Sequence, residues 1–194
     1  DKKARGDDMS RMIDLHMHII PEVDDGAESL EVAEQMLRMA IEQGVEVVFA
    51  TPHGFAHEKY TEYTRVQYRK LHKLVRETEL PIEIYLGCEV FLEPDCIDQT
   101  IKDLEIGRLS SLNMTKYVLV EMYDVKGDSL IGAINKLVDC GWKPVIAHAE
   151  RISGLTIRLA EKLKSRGCLL QMNAYSVGGE ENHTIRNRAL ELLN

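Results

Sequence analysis

His16, His18, His53, Glu89, Glu121 and His148 are the residues of this sequence whose types and spacing can do chemistry together. Imidazole with carboxylate suits zinc, manganese or iron better than calcium or magnesium, which prefer all-oxygen sets. His16 and His18 sit one residue apart in DLHMHIIPEVDDGA; the others stand in ATPHG, LGCEV, LVEM and IAHAER. Successive segments are separated by about one strand–helix unit, which takes roughly 30 residues. A carboxylate directly after an apolar run, as in VLVEM, is a buried charge, costly unless it is paired or bound to a metal. Each segment also has a bland reading. His-x-His is frequent in surface loops, His53 can cap a helix, and either glutamate can pair with a lysine. The recurrence over five segments favours a metal site. So many donors exceed the needs of one tetrahedral ion, so the set points to two ions bridged by a carboxylate. Glu89, in the middle of the order, is the expected bridge.

The apolar pattern predicts the elements that must hold these residues. Short apolar runs at Met12–Leu15, Val45–Ala50, Ile82–Val90, Tyr117–Val120, Pro144–Ala147 and Cys168–Met172 read as strands. Helical periodicity is expected over Glu28–Gln43, Tyr60–Glu79, Asp95–Leu104, Ser129–Cys140, Leu155–Arg166 and Thr184–Leu193. Gly44, Gly141 and Gly167 each follow such a stretch and stop it. Six strands alternating with helices predict one α/β domain on a parallel sheet. Every candidate falls at the C-terminal end of a strand, the face on which α/β barrels build their active sites. Residues i and i+2 of a strand share a side, so His16 and His18 can serve one ion. His57, His72 and His183 fall outside the pattern; His72, on a charged helix, and His183 are expected at the surface.

Bulk properties exclude several classes. The chain has 194 residues, 44% of them hydrophobic, and a net charge of −8. That is enough for one domain with its own core and offers no basic field for nucleic acid. No apolar run is long enough to span a membrane. Residues 1–11 are too polar for a signal peptide and read as a leader outside the fold. Cys88, Cys96, Cys140 and Cys168 are scattered without a Cys-x-x-Cys pair, which fits a reducing, cytoplasmic setting. A cysteine phosphatase needs an arginine six positions after its nucleophile. Those positions hold Pro94, Lys102, Ile146 and Ala174, so that mechanism is rejected. There is likewise no Gly-x-x-x-x-Gly-Lys loop and no Gly-x-Ser-x-Gly elbow.

With these segments in order, and with VDDG after His-x-His and His-x-Glu-Arg later, the chain resembles the polymerase and histidinol phosphatase (PHP) superfamily from about Met12 onward. Within it, the chain is most similar to the metal-dependent bacterial tyrosine phosphatases of capsular and exopolysaccharide synthesis. The resemblance implies a distorted (β/α)7 TIM-like barrel spanning residues 12–194. It implies two or three divalent ions, manganese first and iron or zinc as alternatives. It assigns His16, His18, His53, Glu89, Glu121 and His148 to those ions, Asp24 to a third ion and Arg151 to the substrate phosphate. The implied substrate is a phosphotyrosine protein, an autophosphorylated bacterial tyrosine kinase, without nucleic acid or membrane insertion and with oligomers open. Other readings are a small-molecule phosphoesterase of the histidinol phosphatase kind and a metal-binding scaffold without turnover. The family closes its barrel with a seventh strand bearing Asp-x-His. No such pair follows Asn173, and the next strand end would fall near residue ~200, so the seventh unit is expected beyond Asn194.

Overall fold

The computed structural model describes residues 12–55, 61–124, 128–179 and 182–193. The expected leader, residues 1–11, and His57 lie outside them. Among the described residues there are eight strand segments: β1 (Met12–Met17), β2 (Val45–Ala50), β3 (His53–Gly54), β4 (Glu83–Leu86), β5 (Glu89–Phe91), β6 (Tyr117–Glu121), β7 (Lys143–Ile146) and β8 (Leu169–Leu170). They form two sheets, β1-β2-β4 and β3-β5-β6-β7-β8, and every pairing is parallel.

Eight segments stand where six strands were expected because two strands are bent. β2 and β3 are one strand interrupted at Thr51-Pro52; β4 and β5 are one strand interrupted at Gly87-Cys88. Pro52 has no N–H to give a ladder. Gly87 passes so close to its neighbours that a Cβ there would lie 2.8 Å from Leu112 and 3.0 Å from Thr51. Backbone bonds carry the pairing across the breaks: Thr51 N–H donates to the Met17 carbonyl, Gly87 N–H to Ala50 and Glu89 N–H to Pro52, each at 2.9 Å. The strand order therefore follows the chain order throughout.

Among the described residues seven α-helices cover this array: α1 (Leu30–Glu42), α2 (Thr61–Glu77), α3 (Ile97–Glu105), α4 (Asp128–Asp139), α5 (Ile157–Ser165), α6 (Ala174–Gly178) and α7 (His183–Leu193). α1 starts where the Ser29 hydroxyl accepts the Val32 N–H, and α5 where the Thr156 hydroxyl accepts that of Leu159. Gly44 (φ +90°) and Gly167 (φ +90°) take the left-handed conformation that ends a helix. Short α6, in NAYSVGG, carries too little apolar periodicity to be read from the sequence.

The core has three parts. α1 and α2 bury Leu37 and Leu71 with Val48 of β2. Helices α3, α4, α5 and α7 bury Ile101, Ile134, Leu163 and Leu192 with Val118, Val120 and Ile146 of β6 and β7. On the opposite side of those strands, Leu119, Val145, Ala147 and Leu112 form a small cluster joined by Phe49 of β2. Phe49 reaches strands that are not its neighbours because the array curls. The curl brings the two outer strands together at one end, where the His16 ring meets Gln171, just past β8. Among the described residues β1 and β8 form no ladder, so the array is curled and parallel but not a closed barrel. Among them, too, no helix is long and apolar enough to cross a membrane, and all four cysteines are free.

Candidate metal centre

Glu89 is the hub. It opens β5, and its side chain is 1% exposed. Its Oε2 lies 3.2 Å from His16 Nε2, 3.1 Å from His18 Nε2 and 3.3 Å from His53 Nδ1, while its Oε1 lies 2.9 Å from His148 Nε2. Four histidines from three strand ends thus meet one carboxylate. Glu121, the last residue of β6, adds Oε2 at 3.5 Å from His53 Nδ1 and Oε1 at 3.6 Å from His148 Nε2. The His16 and His18 Nε2 atoms are 3.1 Å apart, as expected of alternate residues aimed at one point.

The donors group into three sets, each with ligand atoms within 4.8 Å of one another: His16, His18 and Glu89; His53, Glu89 and Glu121; His18, Asp25 and His53. Glu89 belongs to two of them. His53 Nδ1 and Glu121 Oε2 are both buried without a hydrogen-bond partner. Leaving such atoms unsatisfied costs roughly 1–3 kcal/mol each. A cation shared with Glu89 satisfies both, so the donor set fits a metal.

The electrostatics point the same way. Burial works against a charge on Glu89, but hydrogen bonds from His148, His16 and His18 outweigh it and hold its carboxyl well below the usual range. Burial, and then the negative charge of Glu89, push the Glu121 carboxyl up. For His18, burial disfavours the charged ring, yet hydrogen bonds to Asp24 and Glu89 push it up to about 10. These groups crowd negative charge into a site where a cation at a ring nitrogen would displace a proton.

A model of the family described as capsular polysaccharide synthesis, CpsB/CapC, matches residues 12–194. The chain belongs to the CpsB/CapC family. It is 28% identical over 192 residues to the tyrosine-protein phosphatase CpsB of Streptococcus pneumoniae, covering 94% of this chain and 77% of that protein. It is 29% identical over 187 residues to the tyrosine-protein phosphatase YwqE of Bacillus subtilis, covering 94% and 72%. A solved structure from work on YwqE and CpsB as "unique metal-dependent tyrosine phosphatases" superposes with a TM-score of 0.83 at 30% identity, over 94% of this chain and 74% of that one. The bacterial tyrosine phosphatase branch expected from the strand-end residues is the branch these relatives occupy.

The remaining expected residues of this CpsB/CapC chain take different places. Asp24 falls in none of the three donor sets. Its Oδ2 accepts from His18 Nδ1 (2.7 Å) and from the His53 N–H (3.0 Å), and its Oδ1 accepts the Gly26 N–H (3.2 Å). It orients two histidines, and hydrogen bonds from His18 and His53 outweigh its burial and lower its carboxyl. Its neighbour Asp25, with a side chain 77% exposed, places Oδ1 3.5 Å from both His18 Nδ1 and His53 Nε2. Adjacent aspartates in one turn look alike in a sequence, and only the turn's geometry separates their tasks. Arg151 is exposed at the end of a 3-10 turn, Ala149–Arg151, and its N–H donates to the His148 carbonyl (2.8 Å). His72 and His183 are exposed, as expected.

Sequence reasoning missed Gln171. Its Oε1 accepts the backbone N–H of His148 (2.7 Å), an obligate donor, which fixes that atom as oxygen. The same oxygen lies 3.3 Å from His16 Nδ1, which must therefore carry a hydrogen, so Nε2, the nitrogen facing Glu89, is the one a cation would take. Its Nε2 donates to Asn173 Oδ1 (2.9 Å). The same contact helps hold His148 at φ 31° and ψ 54°, a left-handed conformation that costs a non-glycine residue about 1 kcal/mol or more. Gln171 directly follows β8, so the strand-end rule applied to amides would have found it.

Proposed function

We propose that this chain is a metal-dependent tyrosine-protein phosphatase of polysaccharide synthesis, hydrolysing phosphotyrosine on an autophosphorylated bacterial tyrosine kinase in the cytoplasm. The observation that carries this is the single buried carboxylate of Glu89 in contact with four histidines. His16, His18, His53, Glu89, Glu121 and His148 are the proposed ligands of two or three divalent ions, with Asp25 completing the third donor set and Asp24 orienting His18 and His53. Manganese is the proposed ion; iron and zinc suit the same donors. The curled array belongs to a distorted (β/α)7 barrel in this reading.

Bound divalent ions neutralise phosphoryl oxygens and lower the pKa of a coordinated water. The chain's own residues supply the rest. Glu89 and Glu121 present buried carboxylate oxygens that would hold the cations. Gln171 and Asp24 fix the tautomers of His16 and His18. Arg151 offers a planar fork to two phosphate oxygens. The cysteines give no alternative nucleophile: Cys88 is buried, burial pushes the Cys168 thiol up to about 11, and neither Cys96 nor Cys140 has an arginine six positions on.

The test is hydrolysis by the manganese-loaded protein of a phosphotyrosine peptide beside histidinol phosphate. Faster release of phosphate from the peptide is expected; cleavage of histidinol phosphate alone would overturn the reading. Arg151→Ala should raise KM for the peptide about tenfold or more, and an unchanged KM would remove Arg151 from the phosphate site. Gln171→Leu keeps the shape but removes the acceptor for His16 and His148. It should weaken metal binding roughly 10- to 100-fold by metal titration, and Gln171→Glu, which can still accept, should lose less.

A further inference from the structure

Three neighbouring strand ends repeat one pattern: a centre residue, a small or aliphatic residue, then an aromatic. They read His53-Gly54-Phe55, Glu89-Val90-Phe91 and Glu121-Met122-Tyr123. β3, β5 and β6 are hydrogen-bonded neighbours, with His53 opposite Glu89 and Phe91 opposite Glu121. Alternate residues of a strand share a side, so the aromatics rise on the side of the histidine and glutamates. The residues between them, Gly54, Val90 and Met122, turn inward and are buried. The rings form a continuous row from the centre outward. Centroid separations are 6.3 Å from His53 to Phe55, 5.7 Å from Phe55 to Phe91 and 5.2 Å from Phe91 to Tyr123.

This row is open to solvent. Phe55 is 40% and Tyr123 66% exposed, and Phe91 is partly exposed. Isolated exposed aromatics are ordinary; a contiguous row rimming a charged pocket marks a place for an apolar ligand surface. We infer that Phe55, Phe91 and Tyr123 form an aromatic collar that receives the phenyl ring of the substrate's phosphotyrosine. The inference rests on the phosphatase reading and deepens it.

The chemistry matches in both charge and length. A phosphorylated phenol has a dianionic head and a flat apolar body. With the head at Glu89 and the histidines, the ring must lie one short step outward. Two residues of extended strand, about 6–7 Å, separate each centre residue from its aromatic. Offset or edge-to-face contact with such a ring contributes beyond its buried area. A phosphorylated serine has no ring to place there, so the collar discriminates aryl from alkyl esters without touching the phosphate.

The test compares phenylphosphonate with methylphosphonate, which share a head and differ by the ring. Binding to the manganese-loaded protein is measured by calorimetry, which does not require turnover. The wild type should bind phenylphosphonate more tightly. Phe55→Ala and Tyr123→Ala should each weaken phenylphosphonate roughly two- to tenfold more than methylphosphonate, whereas Phe55→Tyr and Tyr123→Phe should retain the preference. Equal weakening of both probes would assign the row to structure alone. A wild type that binds both equally, or variants that change neither, would also overturn the collar. Failure of the phosphatase reading would appear separately, as intact phosphotyrosine peptide in the hydrolysis assay.

Discussion

Glu89→Ala is expected to leave a folded protein that holds fewer than one metal ion per chain and has lost at least about 10²- to 10³-fold of its hydrolytic rate. The reason is geometric. Both Glu89 oxygens are engaged, Oε2 with His16, His18 and His53 and Oε1 with His148. Among the described residues no other carboxylate touches all four rings. Glu121 reaches only His53 and His148, at 3.5 and 3.6 Å. Without Glu89, the donor set of His16 and His18 loses its carboxylate, and the set of His53 and Glu121 loses its link to the first. The fold should tolerate the change better than the chemistry. A buried carboxylate is costly to desolvate, and Glu89 raises the cost of ionising Glu121. Removing it relieves that repulsion, although the four rings lose a partner. Glu89→Gln separates the two effects. It keeps the volume and one acceptor but not the charge, so it should unfold near the wild-type temperature and still bind little metal. Elemental analysis with thermal unfolding checks both variants. Wild-type metal content in Glu89→Ala would remove Glu89 from the centre.

How far such a site can be read without coordinates follows from which contacts are local. His16 and His18 are two residues apart, so strand periodicity alone aims them together. The strand ends bearing His53, Glu89, Glu121 and His148 were legible because each follows an apolar run long enough to be a strand, and chain order equals strand order in this array. Gln171 also stands at a strand end, but its partner was not legible. Its contact with His16 joins residues 155 apart in the chain, and only the curl of the sheet brings them together. The bends at Thr51-Pro52 and Gly87-Cys88 were hidden for a different reason. Proline and glycine permit a break without requiring one, and at Gly87 the decisive fact is the approach of Leu112 and Thr51. The aromatic collar lay in plain view as a repeated spacing of two. Phe55, Phe91 and Tyr123 read as ordinary strand residues until their exposure and mutual contacts are known.

Gly26→Ala should unseat His18. A Cβ at Gly26 would lie 1.9 Å from the His18 carbonyl oxygen and 2.5 Å from its Cβ. Two of those atoms are backbone or anchored directly to it, so no flexible tip can swing aside. The turn cannot easily yield either. Glu22 N–H donates to the Ala27 carbonyl (2.9 Å), Ala27 N–H donates to His18 (3.1 Å), and Gln67 of α2 donates to the Glu22 carboxylate (2.7 Å). Ala27, 1% exposed, is packed into the core. The methyl group therefore forces either the turn or the end of β1 to move. Either movement separates Asp24 from His18 Nδ1 and carries Asp25 away from His53. Overpacking of this kind costs about 1–3 kcal/mol, which for a chain of this size lowers Tm by several degrees. Metal affinity should fall at least about tenfold, because the orienting contact to a ring nitrogen is lost. Gly132→Ala is the matched control. It lies in α4 with nothing within 4 Å of a built Cβ, so it should hold or slightly raise Tm and leave metal binding untouched. Wild-type Tm and metal affinity in Gly26→Ala would show that the turn yields freely and that its close approach to His18 positions nothing.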